Sequence, residues 1–195
     1  MKDKKFVALL GIGGVLIIVA IANYFIQKDS MKPAFSDEEK TADSRTSMSS
    51  IADKSMPPNH DQMIEIQKLK DHLKTNPNDT DHWIQLGNLL FDLAQFEESL
   101  EPYKTALQQR PENNDVRTDY AVSLFNIGQP QEAIKELERV VQSDAKHVTA
   151  LFNLGVIHMH TSQIDQAKSY WNRLIEISPN SEMAKKAKQS LTNLK

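Results

Sequence analysis

The chain has 195 residues, 25% of them charged, with a formal net charge of −3 and no cysteine. Without cysteine it has no disulfide, thiolate metal site, c-type haem attachment, cysteine nucleophile or cysteine-linked lipid anchor. Residues 1–60 carry 8 basic and 7 acidic groups and residues 61–195 carry 15 and 19. The larger part is therefore mildly acidic, and lacks the clustered Lys and Arg with which a nucleic-acid surface displaces counterions.

Residues 1–5 hold Lys2, Lys4 and Lys5 and are expected to be the cytoplasmic N-terminus. Phe6 to Ile26 is uncharged, and only Asn23 and Tyr24 are polar. As a helix it covers roughly 30 Å, the hydrocarbon thickness of a bilayer. The lysines before it outweigh Lys28 and Lys32, which Asp29 dilutes, so the N-terminus is expected inside and the rest outside. A cleaved signal peptide ending at Ala20-Ile21-Ala22 competes with this reading. The apolar run continues past that point through Tyr24-Phe25-Ile26 and favours the uncleaved anchor. Gly11, Gly13 and Gly14 lie inside the run and form neither a phosphate loop nor a GxxxG pattern.

Residues 27–60 are rich in Ser, Asp, Lys, Met and Pro, and Pro33, Pro57 and Pro58 break any helix. Such a stretch buries too little surface to offset its ordering entropy. A flexible linker of roughly 30 Å r.m.s. span is expected.

From residue 61 onward the sequence repeats itself every 34 residues. Pro77, Pro111 and Pro179 share one column with Ala145, and Leu69, Tyr103, Leu137 and Trp171 share another. Ser99, Ala133 and Ala167 form a third, Gly87, Ala121 and Gly155 a fourth, and Leu86, Tyr120 and Leu154 a fifth. A fixed period of this length signals stacked supersecondary units. Three full repeats are expected, 80–113, 114–147 and 148–181, each of two amphipathic helices of about 14 residues. Gly87, Ala121 and Gly155 stand where two helices cross, with Ser99, Ala133 and Ala167 opposite. Tyr103, Leu137 and Trp171 fill the space to the next unit, and Pro111 and Pro179 stop the second helices. The middle repeat is the weakest, with Arg117 where Trp or Leu is expected and Pro130 near the turn. Pro102 inside a helix expected at 97–110 implies a kink or a frayed first turn. Residues 61–75 read as a lone second helix. Residues 182–194 read as a polar capping helix with Lys185, Lys186 and Lys188 outward.

The run Trp83-x2-Leu86-Gly87-x2-Leu90, followed by Phe96, Ser99, Tyr103, Ala106 and Pro111, resembles the tetratricopeptide repeat (TPR). The last repeat carries the same pattern in Leu151, Leu154, Gly155, Ala167, Trp171, Leu174 and Pro179. The resemblance covers residues 61–195. It implies an all-α solenoid with a concave face lined by the first helix of each repeat. It places groove positions at Asp81, Ile84, Asn88, Phe91 and Asp92; at Asp115, Thr118, Val122, Phe125 and Asn126; and at Thr149, Phe152, Val156, Met159 and His160. Phe91, Phe125 and Phe152 with Ile84, Val122, Val156 and Met159 would make an apolar strip suited to a protein or peptide partner. Covering of the strip by the N-terminal helix or linker is the competing reading. Repeats that clamp a terminal carboxylate use Lys and Arg with Asn. Asn88 matches one such place, but Ile84 and Thr118 stand where bases are wanted and the groove has none. The segment from Leu69 to Pro111 is similar to the repeat domain of cytochrome c maturation and nitrite-reductase assembly factors, which implies the holding of apocytochrome tails for haem attachment.

No catalytic constellation, cofactor motif or metal-ligand spacing is legible. His158 and His160 are two apart on a helix and point roughly 200° apart, so they cannot share one ion; His158 falls in the inward column of Leu90 and Leu124 and is expected in the core. His60, His72, His82 and His147 form no ligand-spaced set. Glu97, Glu98, Glu136 and Glu138 read as solvated helix faces or first-turn carboxylates. There is no nucleophile elbow and no HExxH. The expectation is a non-enzymatic scaffold without a cofactor. It would be anchored in the inner membrane by residues 6–26, with residues 61–195 extracytoplasmic. Its partner would be a protein or peptide, not nucleic acid and not a small-molecule substrate. An accessory chaperone of a secretion, pilus or cell-wall machine is a further reading.

Overall fold

The computed structural model describes residues 59–194. The expected anchor at 6–26, its signal-peptide alternative and nearly all of the linker lie outside the described residues. Within them the chain is all-helical: α1 (His60–Thr75), α2 (Thr80–Asp92), α3 (Phe96–Gln109), α4 (Asn114–Asn126), α5 (Pro130–Ser143), α6 (Val148–His160), α7 (Ile164–Ile177) and α8 (Glu182–Asn193). None of these helices is long and apolar enough to cross a membrane. Each packs on the next in the order of the chain, as a solenoid requires.

Helix starts and stops repeat as strictly as the apolar columns. Asp79, Asn113, His147 and Ser181 cap α2, α4, α6 and α8, each accepting a backbone N–H from three residues on, at 3.1–3.2 Å. Each cap residue's own N–H reaches back to the residue that closes the preceding helix: Asn76, Arg110, Asp144 or Ser178, at 3.1–3.2 Å. These positions fall 34 apart. The turn inside each repeat is fixed differently. Ala94, Gly128 and Ser162 adopt φ of 56°, 81° and 63°. The N–H of the glutamine after each bonds back to the carbonyl of Leu90, Leu124 or His158 at 2.8–2.9 Å. A left-handed residue closed by such a bond ends a helix with its last carbonyls satisfied.

Close crossings hold the two helices of each repeat together. A Cβ on Gly87 would lie 2.6 Å from the Tyr103 ring, and one on Gly155 would lie 2.2 Å from Trp171 Nε1. Both aromatic side chains are fully buried. Trp171 Nε1 donates to the Phe152 carbonyl at 3.2 Å and Tyr103 Oη to Asn88 Oδ1 at 3.1 Å. Tyr103 also packs with Val116 and Val122 of the following repeat, so one ring serves two units. Ser99 and Ser123 hydroxyls meet at 2.8 Å in the interior between α3 and α4.

The middle repeat owes its weak pattern to substitutions with a function of their own. Trp83 Nε1 donates to the carbonyl of Pro77 at 2.8 Å. Arg117, at the next repeat's equivalent position, donates to the carbonyl of Pro111 at 2.7 Å. Its guanidinium also holds Glu136 at 2.7 Å, and Arg139 holds the other oxygen of that carboxylate at 2.8 Å. Glu136 is therefore a largely buried ion-pair partner, not the solvated carboxylate expected. In the third repeat, where Leu151 replaces the donor, Arg173 reaches the Ala145 carbonyl at 2.6 Å. Lys188 does the same for Pro179 at 3.1 Å. Pro130 is the first residue of α5, where its missing donor and fixed φ suit a helix start.

Of the kink or frayed first turn expected at Pro102, the fraying is absent. The helix runs unbroken from Phe96 to Gln109, and its first turn is closed by Ser99 N–H to the Gln95 carbonyl at 3.0 Å. The donor removed by Pro102 is the one that would have met the Glu98 carbonyl, and Pro102 itself is buried in the helix's packed face. At the N-terminal end, Asn59 and Gln62 form a reciprocal capping box at 2.9 Å, and Leu69 and Leu73 dock α1 on Leu86 and Leu90. At the other end Ala184 and Ala187 are buried and Lys185 and Lys188 exposed, while Lys186 is half-buried rather than outward.

Two pairs of substitutions check this geometry by denaturant unfolding. Gly155→Leu should cost about 3 kcal/mol or more, because even its Cβ overlaps the buried indole. Gly128→Ala has open space around it and should cost only about 1 kcal/mol, for the left-handed backbone. Equal midpoints for the two would contradict the crossing. Conversely, Ala94→Gly and Ser162→Gly should each stabilise the chain by about 0.5 kcal/mol, since glycine relieves a positive φ. A loss of stability in both would refute the turn assignment.

Candidate functional site

The first helices of successive repeats, α2, α4 and α6, lie side by side and form one wall of the solenoid. The expected groove residues on that wall divide into two sets. Phe91, Thr118, Val122 and Phe152 are buried, at 8%, 1%, 0% and 7% exposure. Ile84, Asn88, Phe125, Asn126, Thr149 and Val156 are half-buried, and Asp81, Asp92, Asp115, Met159 and His160 are exposed.

Burial corrects the picture of a three-phenylalanine strip. Phe91 packs its ring against Phe96 at 5.5 Å and Tyr103 at 6.4 Å, both edge-on. Val122 belongs to the same cluster, and Phe152 belongs to the core of the last repeats. Thr118 turns its hydroxyl onto the Asn114 carbonyl at 2.8 Å. The apolar groups that retain access are Ile84 on α2, Phe125 on α4, and Val156 and Met159 on α6. Phe125 meets His160 edge-on at 5.1 Å, which joins α4 to α6 at the accessible end of the wall.

The polar groove positions are largely engaged by the protein itself. Asn88 accepts from Tyr103, and Asn126 Nδ2 donates to the Val122 carbonyl at 2.8 Å. Asp81 pairs with Arg110 at 2.5 Å and Asp115 with His147 at 3.1 Å. No Lys or Arg stands among the groove positions, so a carboxylate clamp has no cation to use. What the wall offers is apolar contact beside acidic side chains. His158, by contrast, is a core residue. It is 6% exposed, its Nδ1 lies 2.5 Å from Gln163 Oε1, and its ring stacks on Tyr170 at 5.4 Å.

A second polar cluster lies at the α1–α2 turn, where no ligand-spaced histidines were expected. His72 Nε2 and His82 Nδ1 stand 2.9 Å and 2.8 Å from the same oxygen of Asp79, and the two rings stack at 4.0 Å. Hydrogen bonding from His72, then the nearby His82 ring and its backbone N–H, holds the Asp79 carboxyl well below the usual carboxylate range. Sequence spacing hides this cluster because its members sit on two helices. The 34-residue alignment could have exposed it, since it sets residues 72 and 82 across one turn.

Comparison with known proteins places the fold. The family profile described as Cytochrome c-type biogenesis protein H TPR domain matches residues 41–185. The Cytochrome c-type biogenesis protein CcmH of Escherichia coli is 23% identical over 170 residues, covering 85% of this chain and 48% of that protein. The Formate-dependent nitrite reductase complex bifunctional subunit NrfFG of Haemophilus influenzae is 24% identical over 164 residues, covering 83% and 41%. The chain thus spans less than half the length of these curated relatives. Among solved structures, YrrB, described as a TPR protein with an unusual peptide-binding site, superposes with a TM-score of 0.60 at 23% identity over 64% of each chain.

Proposed function

Because this chain belongs to the cytochrome c-type biogenesis protein H TPR domain family, we propose that it is a membrane-tethered adaptor that holds a protein or peptide partner during cytochrome c maturation. The accessible face formed by Ile84, Phe125, Val156, Met159 and His160 is the binding surface in this reading, and Asp92 and Asn126 border it. Residues 6–26 are the single-pass anchor in the inner membrane, residues 27–60 the linker, and the repeats work on the extracytoplasmic side. Its work is binding, not catalysis. The observation that carries the proposal is the coincidence of family membership with an apolar wall whose groove positions carry no Lys or Arg. The buried Phe91, Thr118, Val122 and Phe152 support that wall from behind rather than touching the partner.

Apolar anchors in a groove dominate such contacts, and truncating one costs about 2 kcal/mol, or about thirtyfold in affinity. The absence of Lys and Arg among the groove positions implies weak dependence on salt, unlike a carboxylate clamp. The partner class of the family reading is an unfolded c-type cytochrome, recognisable by its C-x-x-C-H haem-attachment motif.

Full-length protein in detergent should bind apocytochrome peptides, taken from the C-terminal tail and from around the C-x-x-C-H motif, with little change between low and high salt. Phe125→Ala and Met159→Glu should each weaken binding by tenfold or more while circular dichroism stays unchanged. Parent-like binding by both variants would move the partner to another surface. Binding of unrelated apolar peptides but of neither cytochrome peptide would leave the adaptor and remove cytochrome c maturation.

The anchor is tested separately. The protein should stay with the membrane through carbonate washing. A mature N-terminus at Asn23, read by mass spectrometry, would instead establish the cleaved signal peptide.

A further inference from the structure

We infer that His72, Asp79 and His82 form a binding site for a borderline divalent transition-metal ion of the zinc, nickel or copper kind, which clamps the N-terminal helix α1 to the first repeat. The three ligand atoms already lie within 4.8 Å of one another. Tetrahedral zinc with ligands at about 2.0–2.1 Å holds them about 3.3 Å apart. The present contacts of 2.9 Å and 2.8 Å to Asp79 Oδ2 therefore need to open by only a few tenths of an ångström. Two imidazoles and one carboxylate are a donor set that zinc and its neighbours accept, and calcium and magnesium do not prefer.

The cluster is incompletely satisfied as it stands. His82 Nδ1 is buried, and its one polar neighbour among the described residues is Asp79 Oδ2 at 2.8 Å, a contact too poorly aligned to count as a regular hydrogen bond. Asp79 is held in place from the other side, where its Oδ1 accepts the His82 backbone N–H at 3.2 Å. His72 Nδ1 faces the Asn76 side-chain amide at 3.5 Å, a neighbour able to orient the ring. The side chains of His72, Asp79 and His82 are 36%, 30% and 36% exposed, so an ion can enter and keep a water ligand.

The repeat itself shows that the cluster is a departure. The positions equivalent to His72 and His82 at the next three turns are Ala106 and Val116, Val140 and Ala150, and Leu174 and Ala184. All six are buried core residues, at 4% exposure or less. Where every other turn closes with apolar packing, the first closes with two imidazoles on a carboxylate. Packing alone does not call for that exchange, whereas an ion coordinated between the two helices would replace the missing apolar contact.

The test uses the full chain in detergent, without a polyhistidine tag, stripped by chelator and titrated with zinc alone. One zinc per chain should bind in competition with a chromophoric chelator and should raise the melting temperature by several degrees. His72→Gln, His82→Asn and Asp79→Asn should each weaken zinc binding by at least about tenfold, and His60→Gln should leave it unchanged. Asp79→Asn is the decisive variant, because asparagine keeps the helix cap and removes the charged ligand. Zinc affinity equal to the parent in Asp79→Asn, or no change in melting temperature with zinc, would overturn the proposal.

Discussion

Everything in this solenoid depends on how closely two helices can cross. Gly87 and Gly155 have no side chain because the rings of Tyr103 and Trp171 occupy the space where one would be. The aromatic residue then extends past its own repeat, as Tyr103 does towards Val116 and Val122. Small against large within a unit therefore determines the contact between units. Ala121 and Leu137 hold the same relation in a softer form, and both are fully buried. The caps and turns follow from this geometry, since helices that cross at one spacing must start and stop at one spacing.

The fold was legible because a solenoid writes each constraint several times. A column such as Leu69, Tyr103, Leu137 and Trp171 reports the same structural place four times over. The boundaries of the helices were nearly as legible, because Pro111 and Pro179 mark the turns. The failures were local. Pro102 looked disruptive, yet the helix runs unbroken through it and its first turn closes normally. Arg117 looked like a gap in the pattern, yet it performs the indole's hydrogen bond and adds an ion pair.

The binding face was only partly legible. Family positions indicate which residues lie on the first helices, but exposure depends on the side chains that neighbouring helices bring. Phe91 and Phe125 hold the same repeat position. One is edge-packed on Phe96 and Tyr103 and buried, while the other keeps an accessible flank beside His160. No count of apolar residues along one helix separates these cases. His72, Asp79 and His82 were hidden for a related reason. Their meeting is a property of the turn between helices, and it becomes visible only when residues are compared with their equivalents at other turns.

The carbonyls of Pro77, Pro111, Ala145 and Pro179 carry a further consequence. Each is met by a different set of donors: an indole with a glutamine amide, a guanidinium from the equivalent first helix, a guanidinium from the second helix, and an ammonium from the capping helix. A backbone acceptor cannot be mutated away. Substitution at these places is therefore constrained by reach and by the presence of an N–H, not by side-chain type. Leu151 is free to be apolar because Arg173 covers the Ala145 carbonyl from the other side. Repeat units of this kind can drift far from their consensus in the very column used to recognise them while the turn beneath stays the same.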